Sequence, residues 1–183
     1  MVGIIGIGNP LAGDDGVGIE SVRLLQNILS DERVQCMTCE RGGLDLLDMM
    51  TGRESVLIVD ASRTGRCPPG TVTVMTVRRP FPSTGTLSLH TIDLQALLGF
   101  GTMIGMQLPD EVTVYAIETT DTDTFREGCT PDVRLAIAEV IRGITGHLQQ
   151  ILKGDVGISP GSSTVEEKQS ERPSPTDSLW SPG

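Results

Sequence analysis

The sequence predicts an α/β fold: a single three-layer domain with a mostly parallel, twisted five-stranded sheet and helices on both faces. Short apolar runs alternate with helical patterns along most of the chain, which is typical of βαβ units. The first run leads directly into a glycine-rich turn and an amphipathic helix, the order in which α/β proteins build a ligand site. The length of 183 residues fits one domain of roughly 100–200 residues.

Five apolar runs predict the strands. They cover residues 2–7, 34–39, 55–59, 71–77 and 111–117. The fourth run follows a Pro-Pro-Gly turn and alternates apolar residues with threonine, as a half-exposed strand does. We therefore expect it at an edge of the sheet, where an antiparallel direction is allowed.

Helical periodicity predicts four helices. The first follows the glycine-rich turn, the second covers residues 44–50, and the third covers roughly residues 91–98. The last is the clearest, because Thr130 is suited to the N-cap, Pro131 to the first helical position, and an apolar stripe continues to residue 151.

Composition limits the class of protein and divides the chain. A net charge of −10 opposes non-specific binding to nucleic acids or anionic membranes. No apolar run approaches the ~20 residues of a membrane span, and no signal peptide opens the chain, so we expect a cytoplasmic protein. Residues 1–153 are expected to form the domain, and the Ser/Pro/Gly-rich residues 154–183 are expected to be a disordered tail. We expect a monomer.

The four cysteines do not predict a metal site or a disulfide framework. Cys36 and Cys39 form a C-x-x-C pattern, but they lie in a predicted strand, where an odd spacing puts them on opposite faces of the sheet. We expect all four to be structural or surface thiols.

The glycine-rich turn carries adjacent carboxylates, Asp14 and Asp15, at the start of the first helix. A phosphate site would need free N–H groups and a positive dipole there. The two aspartates would repel a phosphate and attract a cation. Asp14 is expected to cap the helix, which leaves Asp15 as the spare carboxylate.

Two further residues are expected near Asp15. Asp60 stands where the third apolar run stops, and ligands of doubly wound sheets bind outside the carboxyl ends of neighbouring strands such as the first and third. His90 opens the third helix and reaches the same edge if the intervening strand is antiparallel or the connection folds back. Two carboxylates and an imidazole can bind a divalent transition metal with coordination positions left open. His147 falls between stripe positions of the last helix and is expected to face solvent.

Each candidate also has a structural interpretation. An aspartate at a helix N-terminus is commonly a cap, which favours capping for Asp14 and leaves the role of Asp15 open on spacing alone. Asp60 could cap the turn after its strand, and His90 could simply begin a helix.

The motifs in chain order resemble those of the hydrogenase maturation endopeptidases, which remove a C-terminal extension from the large subunit of nickel–iron hydrogenases. They are Gly8-Asn9-Pro10-Leu11 with Gly13-Asp14-Asp15-Gly16-Val17-Gly18, then Leu57-Ile58-Val59-Asp60-Ala61, then His90 after a polar connection. The resemblance covers roughly residues 2–150.

The resemblance implies a metal-dependent endopeptidase whose metal-contacting and catalytic residues are Asp15, Asp60 and His90. The metal is implied to be nickel that the substrate already holds, so that the enzyme tests for nickel before it cuts. The implied partner is the large-subunit precursor. The segment with Glu40, Gly42 and Gly43 resembles a family loop near the cleft and is expected to contact the substrate.

Three other functions stay open at this point. A non-catalytic nickel chaperone could use the same three residues. The Gly6-x-Gly8-Asn9-Pro10 opening also resembles peptidyl-tRNA hydrolases, although those enzymes need a basic face and a histidine near the motif, and the first histidine here is His90. A nucleotide-binding regulatory domain is the third.

Overall fold

The computed structural model describes residues 1–81, 88–89 and 92–158. The strands are β1 (Val2–Ile7), β2 (Val34–Cys39), β3 (Ser55–Ser62), β4 (Val72–Arg78), β5 (Ser88–Leu89), β6 (Ile92–Asp93) and β7 (Glu111–Glu118). Five of them form one sheet in the order β2–β1–β3–β7–β4. The pairs among β2, β1, β3 and β7 are parallel, and β4 is antiparallel to β7. This confirms the predicted sheet and the edge position of its fourth strand.

Within the described ranges, four α-helices accompany the sheet. They are α1 (Val17–Ile28), α2 (Leu44–Met50), α3 (Leu94–Met103) and α4 (Pro131–Leu152), and a 3₁₀ turn at Gly13–Gly16 precedes α1. Thr130 is the N-cap of α4 and Pro131 its first residue, as predicted. The third helix begins and ends later than the predicted 91–98. Among the described residues, no helix is both long and apolar enough to cross a membrane.

The sheet separates two apolar cores. One core packs β1 and β3 against α1 and α4, and the other packs the opposite face of the sheet against α2 and α3. Consecutive residues of β1 show the alternation, since Ile4 belongs to the first core and Ile5 to the second. Cys36 and Cys39 divide between the two faces in the same way, as predicted. Burial of each of these Ile or Leu side chains stabilises the fold by about 1.5–3 kcal/mol.

The start of α1 lies unusually close to the sheet. A Cβ atom on Gly18 would stand 2.3 Å from the carbonyl oxygens of both Ile7 and Val59. A Cβ atom on Gly6 would stand 2.3 Å from the carbonyl oxygen of Gly18. The two glycines therefore allow the backbone of α1 to rest directly on β1 and β3, which fixes the preceding turn over the carboxyl ends of these strands.

His147 of α4 does not face solvent as expected. A Cβ atom on Gly143 would stand 2.9 Å from the Tyr115 ring, so this glycine makes room for that side chain. The Tyr115 hydroxyl lies 3.3 Å from Nδ1 of His147. His147 is therefore partly buried against β7 instead of facing solvent, since its ring turns toward Tyr115.

The folded part extends past the predicted boundary at residue 153. Val156 is buried in the core beneath α1 and α4, the Ser30 N–H donates to the Gly157 carbonyl at 2.9 Å, and Ile158 pairs with Leu29. The domain thus reaches at least Ile158. Residues 159–183 lie outside the described residues, and the disorder of this segment stays a prediction.

Replacing Gly18 with alanine should destabilise the fold by about 1–3 kcal/mol, because the added methyl group collides with two backbone carbonyls. The matched control is Gly146→Ala in α4, where an added Cβ meets nothing within 4 Å. That change should be neutral or stabilise by up to about 1 kcal/mol. Urea denaturation measures both, and equal free energies of unfolding for the two variants would contradict the close approach of α1 to the sheet.

Candidate functional site

The loop after β1 holds the carboxylate of Asp15 over the sheet edge. Gly8 has φ = 135°, and a Cβ atom there would stand 1.8 Å from the Asp15 carbonyl oxygen. Only glycine lets the chain fold back so tightly. The side chain is held as well, because the Asn9 N–H donates to Asp15 Oδ2 at 2.7 Å. The Asp15 side chain is partly exposed, so solvent reaches it.

Asp60 lies inside β3 and not at its end. The strand continues to Ser62 because β7 pairs with it as far as Glu118. Asp60 is only 4% exposed. Burial first and the negative charge of Asp15 second raise the pKa of Asp60 from 3.8 to about 7, although a backbone hydrogen bond at Ala61 lowers it. The two carboxylates are therefore close enough to affect each other, as the neighbouring positions of β1 and β3 predict.

Asp14 has a different partner from the one predicted. Its side chain is fully buried, and its carboxylate accepts the Thr130 N–H at 2.6 Å and the Thr130 hydroxyl at 3.1 Å. The Asp121 N–H also lies 3.4 Å from it. The helix that follows Asp14 has Gly16 at its N-cap and no side-chain cap. Asp14 thus fastens the first loop to the start of α4, because long-range hydrogen bonds compete successfully with local capping.

The first loop and the segment at residues 119–130 form one hydrogen-bonded unit. The Gly13 N–H donates to the Arg126 carbonyl at 2.9 Å, the Arg126 N–H donates to the Leu11 carbonyl at 3.0 Å, and the Asp14 N–H donates to the Asp121 carbonyl at 2.8 Å. Nothing in the sequence predicts that this segment contacts the first loop. Asp121 and Asp123 mark this segment in the sequence, but the first-loop residues that hold it lie more than a hundred residues away in the chain.

The segment after β2 reaches the same edge of the sheet. The Gly8 N–H donates to the Cys39 carbonyl at 3.3 Å, which connects the ends of β1 and β2. Gly42 and Gly43 have φ = 60° and 63°, a backbone region that favours glycine. Glu40 is exposed. Glu40 therefore directly follows the residue that Gly8 contacts, and the role of these three residues as substrate contacts stays a prediction.

His90 lies outside the described residues. The nearest described strand, β5, ends at Leu89 and lies beside β3, the strand that carries Asp60. Within the described ranges, no group of three or more His, Cys, Asp or Glu side chains is arranged to hold a metal ion.

Cys36 and Cys129 carry no reactive thiolate. The Cys129 thiol donates to Glu20 Oε2 at 3.4 Å, and burial together with the charge of Glu20 raises its pKa to about 12. Burial raises the pKa of Cys36 to about 11. Both thiols stay protonated near neutral pH, so neither is a nucleophile.

Known proteins match the chain over most of its length. Residues 19–147 match the family model described as hydrogenase maturation protease. The chain is 27% identical over 175 residues to hydrogenase expression/formation protein HupD of Thiocapsa roseopersicina, covering 93% of this chain and 77% of that protein. It is 24% identical over 149 residues to hydrogenase 2 maturation protease of Escherichia coli (strain K12), covering 80% of this chain and 90% of that protein.

Solved structures share the fold. The hydrogenase maturating endopeptidase HybD from E. coli aligns with a TM-score of 0.70 at 22% identity, covering 86% of this chain and 96% of that one. A hydrogenase 2 maturation peptidase from Thaumarchaeota archaeon SCGC_AB-539-E09 aligns with a TM-score of 0.58 at 26% identity, covering 80% and 97%.

Replacing Asp14 with alanine should destabilise the protein by about 2–4 kcal/mol, since it leaves buried N–H groups without an acceptor. Asp132→Ala is the matched control, because Asp132 is an exposed acidic residue in the first turn of the same helix. Asp132→Ala should lower the free energy of unfolding by no more than about 1 kcal/mol. Chemical denaturation distinguishes the two, and an equal loss in both variants would show that Asp14 acts only as a negative charge near α4.

Proposed function

The chain belongs to the hydrogenase maturation protease family, and we propose that it removes the C-terminal extension of a nickel–iron hydrogenase large-subunit precursor after nickel insertion. Membership makes it a peptidase. The observation that carries the finer proposal is the juxtaposition of a buried carboxylate, Asp60, with the partly exposed carboxylate of Asp15 at the carboxyl edge of the sheet. This is the edge at which α/β sheets bind ligands.

The carboxylate pair favours a cation. Two carboxylates that are both ionised repel each other. Burial of one of them further raises the free energy that is needed to keep both ionised. A divalent cation between them removes both penalties. We propose that this cation is the nickel of the precursor, bound by Asp15, Asp60 and His90. A precursor without nickel would leave the repulsion in place, which makes binding depend on the metal.

The same residues supply the groups for peptide hydrolysis. Asp15 or Asp60 accepts the proton of the attacking water, while the substrate's nickel polarises the scissile carbonyl or the water. A second version of the mechanism uses the nickel only to dock the substrate. In both versions His90 completes the ligand set.

Glu40, Gly42 and Gly43 are proposed to contact the peptide that is cut. The two glycines present backbone without side chains at the end of β2, so an extended peptide can approach it closely. Glu40 adds an exposed charge beside them. The predicted cytoplasmic location and monomeric state belong to the same proposal.

Family membership favours the protease over the other three functions. A non-catalytic nickel chaperone would not cut a precursor, and a peptidyl-tRNA hydrolase or a nucleotide-binding domain would not require nickel in its substrate. Each of them would therefore fail the following test.

Purified protein should release a short C-terminal peptide from a nickel-loaded large-subunit precursor and leave a nickel-free precursor intact. Mass spectrometry of the products measures the cleavage. Equal cleavage of both precursors would refute the role of nickel, and cleavage of neither would refute the proposed substrate.

Asp15→Asn and His90→Ala should each lower the rate of this cleavage by at least about 100-fold, because each removes a ligand of the substrate's nickel. Glu139→Gln is the control, since Glu139 is an exposed acidic residue of α4. It should cleave at the wild-type rate. Circular dichroism establishes that all three variants fold. Near-normal cleavage by Asp15→Asn and His90→Ala would refute the proposed metal site.

A further inference from the structure

Asn9 lies directly beside the Asp15 carboxylate, and its side chain has no role in the function proposed above. The Asn9 backbone N–H donates to Asp15 Oδ2 at 2.7 Å. Asp15 is in turn close enough to Asp60 for its charge to raise the pKa of Asp60. Asn9 is exposed. An exposed carboxamide therefore stands next to the two carboxylates of the candidate site.

The Leu11 N–H fixes the orientation of this carboxamide. It lies 3.0 Å from Asn9 Oδ1, and a backbone N–H can only donate, so the oxygen of the carboxamide faces the loop. The NH2 group is then turned away from Leu11. Within the part of the chain that the structure describes, this NH2 group has no hydrogen-bond partner. Its two N–H donors are available to a substrate.

The rest of the first loop has no donor left for a substrate. The backbone N–H groups of residues 8, 9 and 11–15 all donate to acceptors inside the protein, and Pro10 has no N–H. The acceptors belong to Cys39, Asp15, Asn9, Arg126, Asp121 and Ala12. The other side chains of residues 8–15 are apolar or carry carboxylates. Among these eight residues, all of them described, the Asn9 NH2 group is the one donor that a substrate can reach.

The distance from this NH2 group to the Asp15 carboxylate suits peptide hydrolysis. Four covalent bonds join Asn9 Nδ2 to its own backbone nitrogen, which is a reach of at most about 5 Å. Because that nitrogen is 2.7 Å from Asp15 Oδ2, Nδ2 lies within about 8 Å of Asp15 Oδ2. A water held by a general base, the carbonyl that it attacks and a donor to the carbonyl oxygen fit such a span, since each contact is about 3 Å long.

Peptide hydrolysis creates negative charge at the scissile carbonyl oxygen. The water oxygen bonds to the carbonyl carbon while its proton passes to Asp15 or Asp60, and one electron pair of the C=O bond moves to the oxygen. The C–N bond then breaks, and the leaving amine takes up the proton that the aspartate holds. Negative carboxylates nearby disfavour this oxyanion, so an N–H donor aimed at the oxygen lowers the barrier.

We propose that the Asn9 carboxamide donates a hydrogen bond to this oxygen and is a catalytic residue of the chain. This inference rests on the proposed function. The backbone of Asn9 orients the Asp15 carboxylate, and its side chain stabilises the charge that the reaction creates. The base and the donor are therefore held at a fixed separation by the same residue.

The test measures kcat and KM for cleavage of the nickel-loaded precursor by the wild-type chain, Asn9→Asp and Asn9→Ala. Asn9→Asp keeps an oxygen that accepts the Leu11 N–H but has no N–H to donate, whereas Asn9→Ala loses both groups. Both variants should lower kcat by about 100-fold or more. KM should change by less than about threefold, because the hydrogen bond that is lost forms in the transition state.

Asn27→Asp is the matched control. Asn27 is an exposed carboxamide of α1, and its replacement adds the same charge away from the first loop. This variant should keep the wild-type kcat and KM. Circular dichroism establishes that the variants fold. Asn9→Ser takes the place of Asn9→Ala if the latter does not fold, because the serine hydroxyl also accepts the Leu11 N–H.

The two Asn9 variants together separate donation from the other roles of this side chain. A wild-type kcat in Asn9→Asp with a slow neutral variant would limit Asn9 to holding the turn and overturn the inference. A slow Asn9→Asp with a normal neutral variant would reveal an effect of the added charge and overturn it as well. A raised KM with unchanged kcat in both would assign Asn9 to substrate binding, again against the inference.

Failure of the inference is distinguishable from failure of the proposed function. Normal cleavage by the wild-type chain and by both Asn9 variants would refute the inference alone. A wild-type chain that cleaves no nickel-loaded precursor would refute the proposed function and the inference with it.

Discussion

The repulsion between Asp15 and Asp60 is the constraint on which the architecture of the site depends. Parallel pairing of β1 and β3 brings their carboxyl ends together, but strand pairing alone does not bring Asp15 back over the sheet. The tight turn at Gly8 and the contact of Gly18 with the carbonyls of Ile7 and Val59 do so. Packing and backbone hydrogen bonds thus hold the two carboxylates close enough for one charge to raise the pKa of the other.

Neighbouring aspartates in the same turn have opposite roles because of their hydrogen bonds. Asp14 accepts hydrogen bonds from Thr130 and is fully buried, so its charge is used to join two loops. Asp15 accepts the Asn9 N–H and stays partly exposed. The buried aspartate fastens the turn to the start of α4, which helps to hold its neighbour near Asp60.

Local pattern was sufficient to predict the fold, but not the position of Asp60 inside β3. The alternation of apolar and helical runs predicted the sheet, and the neighbouring positions of the first and third strands predicted that Asp15 and Asp60 share an edge. Features that depend on distant partners were not predictable. The extension of β3 to Ser62 requires pairing with β7. The partner of Asp14 is 116 residues away, and the first loop is also held by the pairing of Ala12 with Arg126. The roles of Asp15, Asp60 and His90 in binding nickel stay predictions.

Titration of Asp60 by carbon-13 NMR of its side-chain carboxyl group tests the central claim most directly. The account predicts a pKa near 7 in the metal-free protein and a lower pKa in Asp15→Asn, because burial would remain while the neighbouring negative charge is removed. A pKa near 4 that Asp15→Asn does not change would show that the two carboxylates are neither desolvated nor close, and the account of the site would be wrong.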